Sequence, residues 1–144
     1  MSDIRLEVYI YFKGQCREAM EFYKSVFGGE LEMMSYADTP GDMPLPEGVD
    51  SNDWLMHANL TGGDVNLMAS DTAKASPLAA KIDLSIGGTD EIRMREIFGK
   101  LSTDGKINSP LKKEFWGDTL GSLTDKFGVN WMMNIGTPKG GQDG

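Results

Sequence analysis

Cysteine and histidine are almost missing from this chain: each occurs once, as Cys16 and His57. One cysteine excludes an internal disulfide, so a reducing cytoplasm is the expected compartment. One histidine leaves a single position for any imidazole general base. No apolar run approaches the about 18 residues of a membrane span, and no membrane partner is expected. Met1-Ser2-Asp3-Ile4-Arg5-Leu6 has neither the basic start nor the apolar segment of a secretory signal. Basic residues are also in deficit, 14 Lys and Arg against 22 Asp and Glu, for a formal charge of −8. They are scattered, whereas nucleic-acid binders display a basic face, which argues against that class. An acidic surface suits a cationic ligand, or simply keeps the protein soluble. P-loop, dinucleotide-type glycine and nucleophile-elbow motifs are absent, so nucleotide and hydrolase readings have no support.

What is present is the composition of a globular chain: 144 residues, 40% hydrophobic and 25% charged. The expectation is one domain over residues 1–135, with modules at about 4–70 and 80–135 and a disordered polar tail at 136–144. Leu6 to Phe12 alternates as a strand, with Val8, Ile10 and Phe12 on one face and Tyr9 and Tyr11 on the other. From Gln15 the period becomes helical, with Cys16, Ala19, Met20, Tyr23 and Val26 or Phe27 in one stripe, stopped by Gly28-Gly29. Glu30 to Tyr36 resumes as a strand. Ala37 to Asp53, rich in Pro and Gly, is a long loop and a candidate lid. Strands follow at Trp54 to Leu60 and Val65 to Ala69 around the hairpin signal Thr61-Gly62-Gly63-Asp64.

The pattern then restarts. Lys81 to Ile86 alternates, Gly87-Gly88 breaks it, and Thr89 or Asp90 can cap a helix to about Leu101. Asp104-Gly105 turns into a short strand from Lys106 to Ser109. The stretch from Phe115 to Ile135 supplies two more strands around a turn at Asp125-Lys126-Phe127-Gly128. Both halves therefore read strand, helix, strand, strand, strand. If each half's apolar strand faces cover its helix, the opposite faces line a half-polar concavity. That face collects Tyr9, Tyr11, Asn66 and Met68 from the first half, and Lys81, Asp83, Ser85, Asn130, Met132 and Asn134 from the second. On Trp54 to Leu60, alternation sets Leu55, His57 and Asn59 against Met56, Ala58 and Leu60.

YIYF, then GQCREAMEFYKSVFGGELEMM, MHANLTGGDVNLMASD and FWGDTLGSLTDKFGVNWMMNI, together resemble the PhnB-like branch of the vicinal oxygen chelate superfamily. Glyoxalase I, the bleomycin-resistance proteins and the extradiol dioxygenases belong to the same superfamily. The resemblance covers roughly residues 4 to 135. It implies an α+β fold of two βαβββ modules, whose curved mixed sheets enclose a cavity, and a homodimer. In metal-dependent members, four ligands come from the first and last strands of the modules. By position these become Tyr9; Asn66, Leu67 or Met68; Lys81 or Asp83; and Met132. Only Asp83 is a hard-metal donor, so the usual divalent site is not supplied and no cofactor is expected. Some members of the branch carry a methyltransferase label, which no nucleotide-type glycine loop supports here.

Amides and a thioether on the last strand suit an organic ligand held by hydrogen bonds and soft contact. The resulting expectation is a small-molecule binding protein, its ligand an unidentified organic molecule. Its ligand-binding residues are Tyr9, Tyr11, His57, Asn66, Met68, Lys81, Asp83, Trp116, Asn130, Met132 and Asn134. The alternative is a lyase, isomerase or dioxygenase using a reduced metal site or His57 as general base, with Asp83 or Asp118 as partner carboxylate. Plainer readings stand beside these. His57 can be a structural strand residue, the tyrosines can simply pack, and Lys81 with Asp83 can be an ion pair. Cys16 and Trp131 read as core, and the scattered methionines as adaptable packing around a cavity.

Overall fold

A computed structural model describes residues 7–38, 48, 53–73 and 82–137. The chain divides into two compact units, Met1–Ser76 and Pro77–Gly144. The first contains β1 (Tyr9–Phe12), α1 (Cys16–Phe27), β2 (Glu30–Ser35), a 3₁₀ turn (Tyr36–Asp38), β3 (Leu55–Thr61) and β4 (Leu67–Asp71). The second contains β5 (Leu84–Gly88), α2 (Glu91–Leu101), β6 (Lys106–Lys113), β7 (Thr119–Thr124) and β8 (Asn130–Ile135). Each unit forms one four-stranded mixed sheet, ordered β1-β4-β3-β2 and β5-β8-β7-β6. The first and last strands of each unit pair in parallel, and the other pairs are antiparallel. This is the α+β arrangement of two βαβββ modules that the resemblance implies.

Amphipathic periodicity decides what each sheet covers. The α1 stripe Cys16, Ala19, Met20, Tyr23, Val26 and Phe27 is at most 2% exposed, so the whole stripe contributes to the core. Each large side chain there adds about 1.5–3 kcal/mol by removing apolar area from water. In the second unit the Asp90 side chain caps α2 by accepting from Arg93 N at 3.2 Å. That helix buries Met94, Ile97, Phe98 and Leu101. Trp131, Met133 and Ile135 of β8 and Leu123 of β7 are buried with them.

Two buried carboxylates organise the chain reversals. Asp71, at the end of β4, accepts at Oδ1 from Gly14 N (2.8 Å) and Cys16 N (2.9 Å), and at Oδ2 from Leu55 N (2.9 Å). Asp125 accepts from Phe127 N, Val129 N and the Trp131 indole, all within 3.0 Å. Backbone donors at a turn or helix start must find acceptors, and here side chains supply them.

Several boundaries differ from the sequence reading. β5 begins at Leu84 and runs through Gly87 and Gly88, which pair with Asn134 and Ile135 of β8. Ile82 lies before the strand and is 60% exposed, so it is not a covered position. β6 continues to Lys113 through Pro110, tolerated because this is an edge strand with irregular register. Phe115 and Trp116 are exposed hairpin residues, not strand. The expected face of Leu55 is also overturned. Pairing passes from Met34–His57 to Ser35–Leu55, so Met56 is an inserted bulge residue and Leu55 joins Ala58 and Leu60 on the buried face. Most of the Ala37 to Asp53 loop, Lys81, and residues 138–144 of the tail lie outside the described residues.

Candidate functional site

Strand register assembles the open face of the first sheet. Tyr9 lies opposite Met68, which pairs with Asn59, which pairs with Glu32. One step along, Tyr11 lies opposite Ser70, and His57 opposite Met34. The bulge at Met56 leaves His57, Asn59 and Thr61 alternating outward, which β3 could not otherwise achieve while burying Leu55. The Tyr9 and Tyr11 rings meet at a tilt of 36° with centres 5.0 Å apart. The Tyr9 hydroxyl is 3.4 Å from His57 Nδ1, a long contact in which the phenol donates if that nitrogen is unprotonated. A cavity of about 430 Å³ opens beside this row, bounded by Glu7, Asn59, Thr61, Asn66 and Met68 together with Val8 and Leu67.

The second sheet presents a comparable face. Met132 lies between Ser85 and Ser122, and Asn134 between Gly87 and Leu120. Asn130 accepts at Oδ1 from the Thr124 hydroxyl at 2.7 Å, and that hydroxyl accepts from Asn108 Nδ2 at 3.0 Å. Asn134 differs: its Oδ1 is buried and has no hydrogen-bond partner among the described residues. A buried acceptor left unmet costs about 1–3 kcal/mol.

Tyr9, Tyr11, His57, Asn66 and Met68 therefore share one side of the first sheet, and Asn130, Met132 and Asn134 one side of the second. Asp83 precedes β5 and is exposed. Trp116 sits in the β6–β7 hairpin, edge-on to Phe115 at 4.9 Å, because the chain turns there. Sequence reading left Glu7, Asn59 and Thr61 out of the site. Period-two counting from Tyr9 recovers Glu7, and the same alternation already sets Asn59 beside His57; the bulge moves only Leu55. Sequence reading gave Asp71 no role and took Asp125 as a turn residue; their burial is a tertiary property.

The donor set answers whether the superfamily's divalent metal fits. Of the positions to which the resemblance carries metal ligands, register puts Tyr9 opposite Met68; on the second sheet Ser85 lies opposite Met132, while Asp83 falls before β5. Phenol, hydroxyl and thioether are poor partners for a hard divalent ion, and on the first sheet His57 is the one imidazole, beside Tyr9. Among the described residues, no three of His, Cys, Asp and Glu are grouped to hold a metal. A methyl-donor nucleotide finds no cradle at the first strand–helix turn either, since Asp71 already occupies the amides of Gly14 and Cys16.

Comparison with known proteins agrees with the architecture. Residues 5–134 match the family model described as 3-demethylubiquinone-9 3-methyltransferase. Protein YjdN of Escherichia coli (strain K12) is 32% identical over 143 residues, spanning 90% of this chain and 94% of the relative. The crystal structure of protein PA1353 from Pseudomonas aeruginosa aligns with TM-score 0.80 at 34% identity, over 94% of this chain and 100% of that one. A Bacillus cereus structure described as a putative 3-demethylubiquinone-9 3-methyltransferase, PhnB protein, aligns with TM-score 0.69 at 26% identity, over 92% and 99%. More distant bleomycin-resistance and glyoxalase structures share the fold alone.

Proposed function

From the premise that this chain belongs to the PhnB-like 3-demethylubiquinone-9 3-methyltransferase family of the vicinal oxygen chelate superfamily, we propose that it is a metal-independent small-molecule binding protein. It captures an organic ligand on its open sheet faces and works as a homodimer in the cytoplasm. One observation carries the reading: the cavity of about 430 Å³ on the first sheet, walled by amides, a thioether, a hydroxyl and a carboxylate. Such a wall recognises a molecule with both polar and apolar surface, through hydrogen bonds and adaptable contact. Tyr9 and Tyr11 extend it as an aromatic platform. The unmet Asn134 Oδ1 supports a ligand-facing role for β8, where a donor group would relieve it.

The rival reading, His57 as a general base, is favoured by its contact with Tyr9. The two separate on one pair of measurements. The ligand is first identified by native mass spectrometry of untagged protein, and its affinity is then measured for the parent, Asn59→Ala and His57→Ala. Binding predicts that Asn59→Ala weakens affinity about tenfold, that His57→Ala weakens it less, and that the ligand leaves unaltered. Turnover of that ligand, lost about 10²-fold or more in His57→Ala with affinity kept, would replace binding by catalysis.

A further inference from the structure

A second cavity, of about 200 Å³, lies wholly within the second unit, between the start of α2, the β6–β7 hairpin and the end of β8. Its wall from the sheet includes Thr119, on the helix-covered side and only 7% exposed. The Thr119 hydroxyl has no hydrogen-bond partner among the described residues. Among the described residues Asn134 Oδ1 alone is a fully buried side-chain atom without a partner, so the Thr119 hydroxyl stays open to the cavity and free to meet a ligand there. Two cations line the same space, Lys113 at the end of β6 and Arg95 on α2. Arg95 is held by its Nε donating to Glu91 at 2.8 Å, which leaves both terminal amino groups of the guanidinium to donate elsewhere. The Lys113 ammonium has no ion pair or hydrogen bond among the described residues. Thr89 adds a second hydroxyl to the wall.

Every one of these groups can donate, and Glu91, the carboxylate in the wall, is already paired. The wall carries one positive charge in excess within a chain of net charge −8. Asp118 stands at the rim beside Gly136 and disfavours a second negative charge on anything that enters. We propose that this cavity is a second binding site, for a small singly charged oxyanion: a carboxylate, or the phosphate monoanion. Lys113 and Arg95 hold its oxygens, and the Thr119 hydroxyl donates from the floor. The site shares no residue with the sheet-face cavity and stands or falls independently of it.

Nuclear magnetic resonance titration of the full chain with acetate, and separately with inorganic phosphate, tests the assignment. Chloride at matched ionic strength is the reference. The expected result is saturable movement of the Gly117, Gly136 and Thr137 amides, with a dissociation constant in roughly the millimolar range. Lys113→Ala weakens it about tenfold or more, and Thr119→Val severalfold, while Thr119→Val unfolds at an unchanged or higher midpoint. That last combination separates a ligand-binding hydroxyl from a structural one. Which anion saturates first distinguishes a carboxylate from a phosphate. Shifts that chloride reproduces, or affinity unchanged in both variants, overturn the site.

Discussion

Asp71 and Cys16 show how much one buried side chain can decide. Asp71 accepts three backbone N–H groups from two separate segments, so its removal leaves three donors facing an apolar interior. Asp71→Ala is expected to lose about 3–5 kcal/mol in urea unfolding, more than an ordinary surface substitution. Cys16 is the reverse case, a group kept neutral. Burial first, and the nearby Asp71 carboxylate second, push its thiol from 9.0 up to about 12. The unfolded chain therefore ionises at lower pH than the folded one. This contribution is complete below about pH 9 and is lost as pH rises toward 12. Cys16→Ala has no such dependence. Its stability deficit at neutral pH should narrow by about 1.4 kcal/mol per pH unit above pH 9, read from urea titrations of both proteins. Cys16 was legible as core from the helical stripe. Asp71 was not, because nothing in the string MASD says which distant amides will meet it.

Among the elements, the α1–β2 turn and the β3–β4 hairpin are packed backbone against backbone. A Cβ on Gly63 would stand 2.5 Å from Gly28 O and 2.7 Å from Phe27 O, although Gly63 has no left-handed backbone. Gly62 has φ +83° yet open space around it. Crowding against rigid backbone outweighs conformational preference here. Gly63→Ala should cost about 2–3 kcal/mol and Gly62→Ala about 1 kcal/mol, compared by thermal unfolding. The hairpin was readable from Thr61-Gly62-Gly63-Asp64; which glycine is sterically required was not. The same division holds on β3. Its existence followed from alternation, but a bulge changes parity, and alternation alone therefore placed Leu55 on the wrong face.

At the scale of the molecule, the repeated order of elements produces the same sheet topology twice, while the cavities in the two units are lined by different chemistry. The proposed metal independence is tested here, since a divalent ion would change the charge and chemistry of the whole site. Untagged protein purified without chelator should carry no stoichiometric divalent cation by native mass spectrometry and elemental analysis. Added Zn²⁺ or Ni²⁺ should leave the unfolding temperature within about 1 °C. A bound equivalent of metal, or stabilisation of several degrees, would instead make His57 the first ligand to examine. Strand periodicity and helical stripes were enough to establish, from sequence alone, the duplicated element order, both helices and the polar face of β8. They depend on local alternation between apolar and polar side chains, which neighbouring residues in the chain fully express. Tertiary structure alone decided the parity of β3, the buried roles of Asp71 and Asp125, and the convergence of Arg95, Lys113 and Thr119. Those depend on residues far apart in sequence meeting across strands and turns, and on which polar groups then lose water.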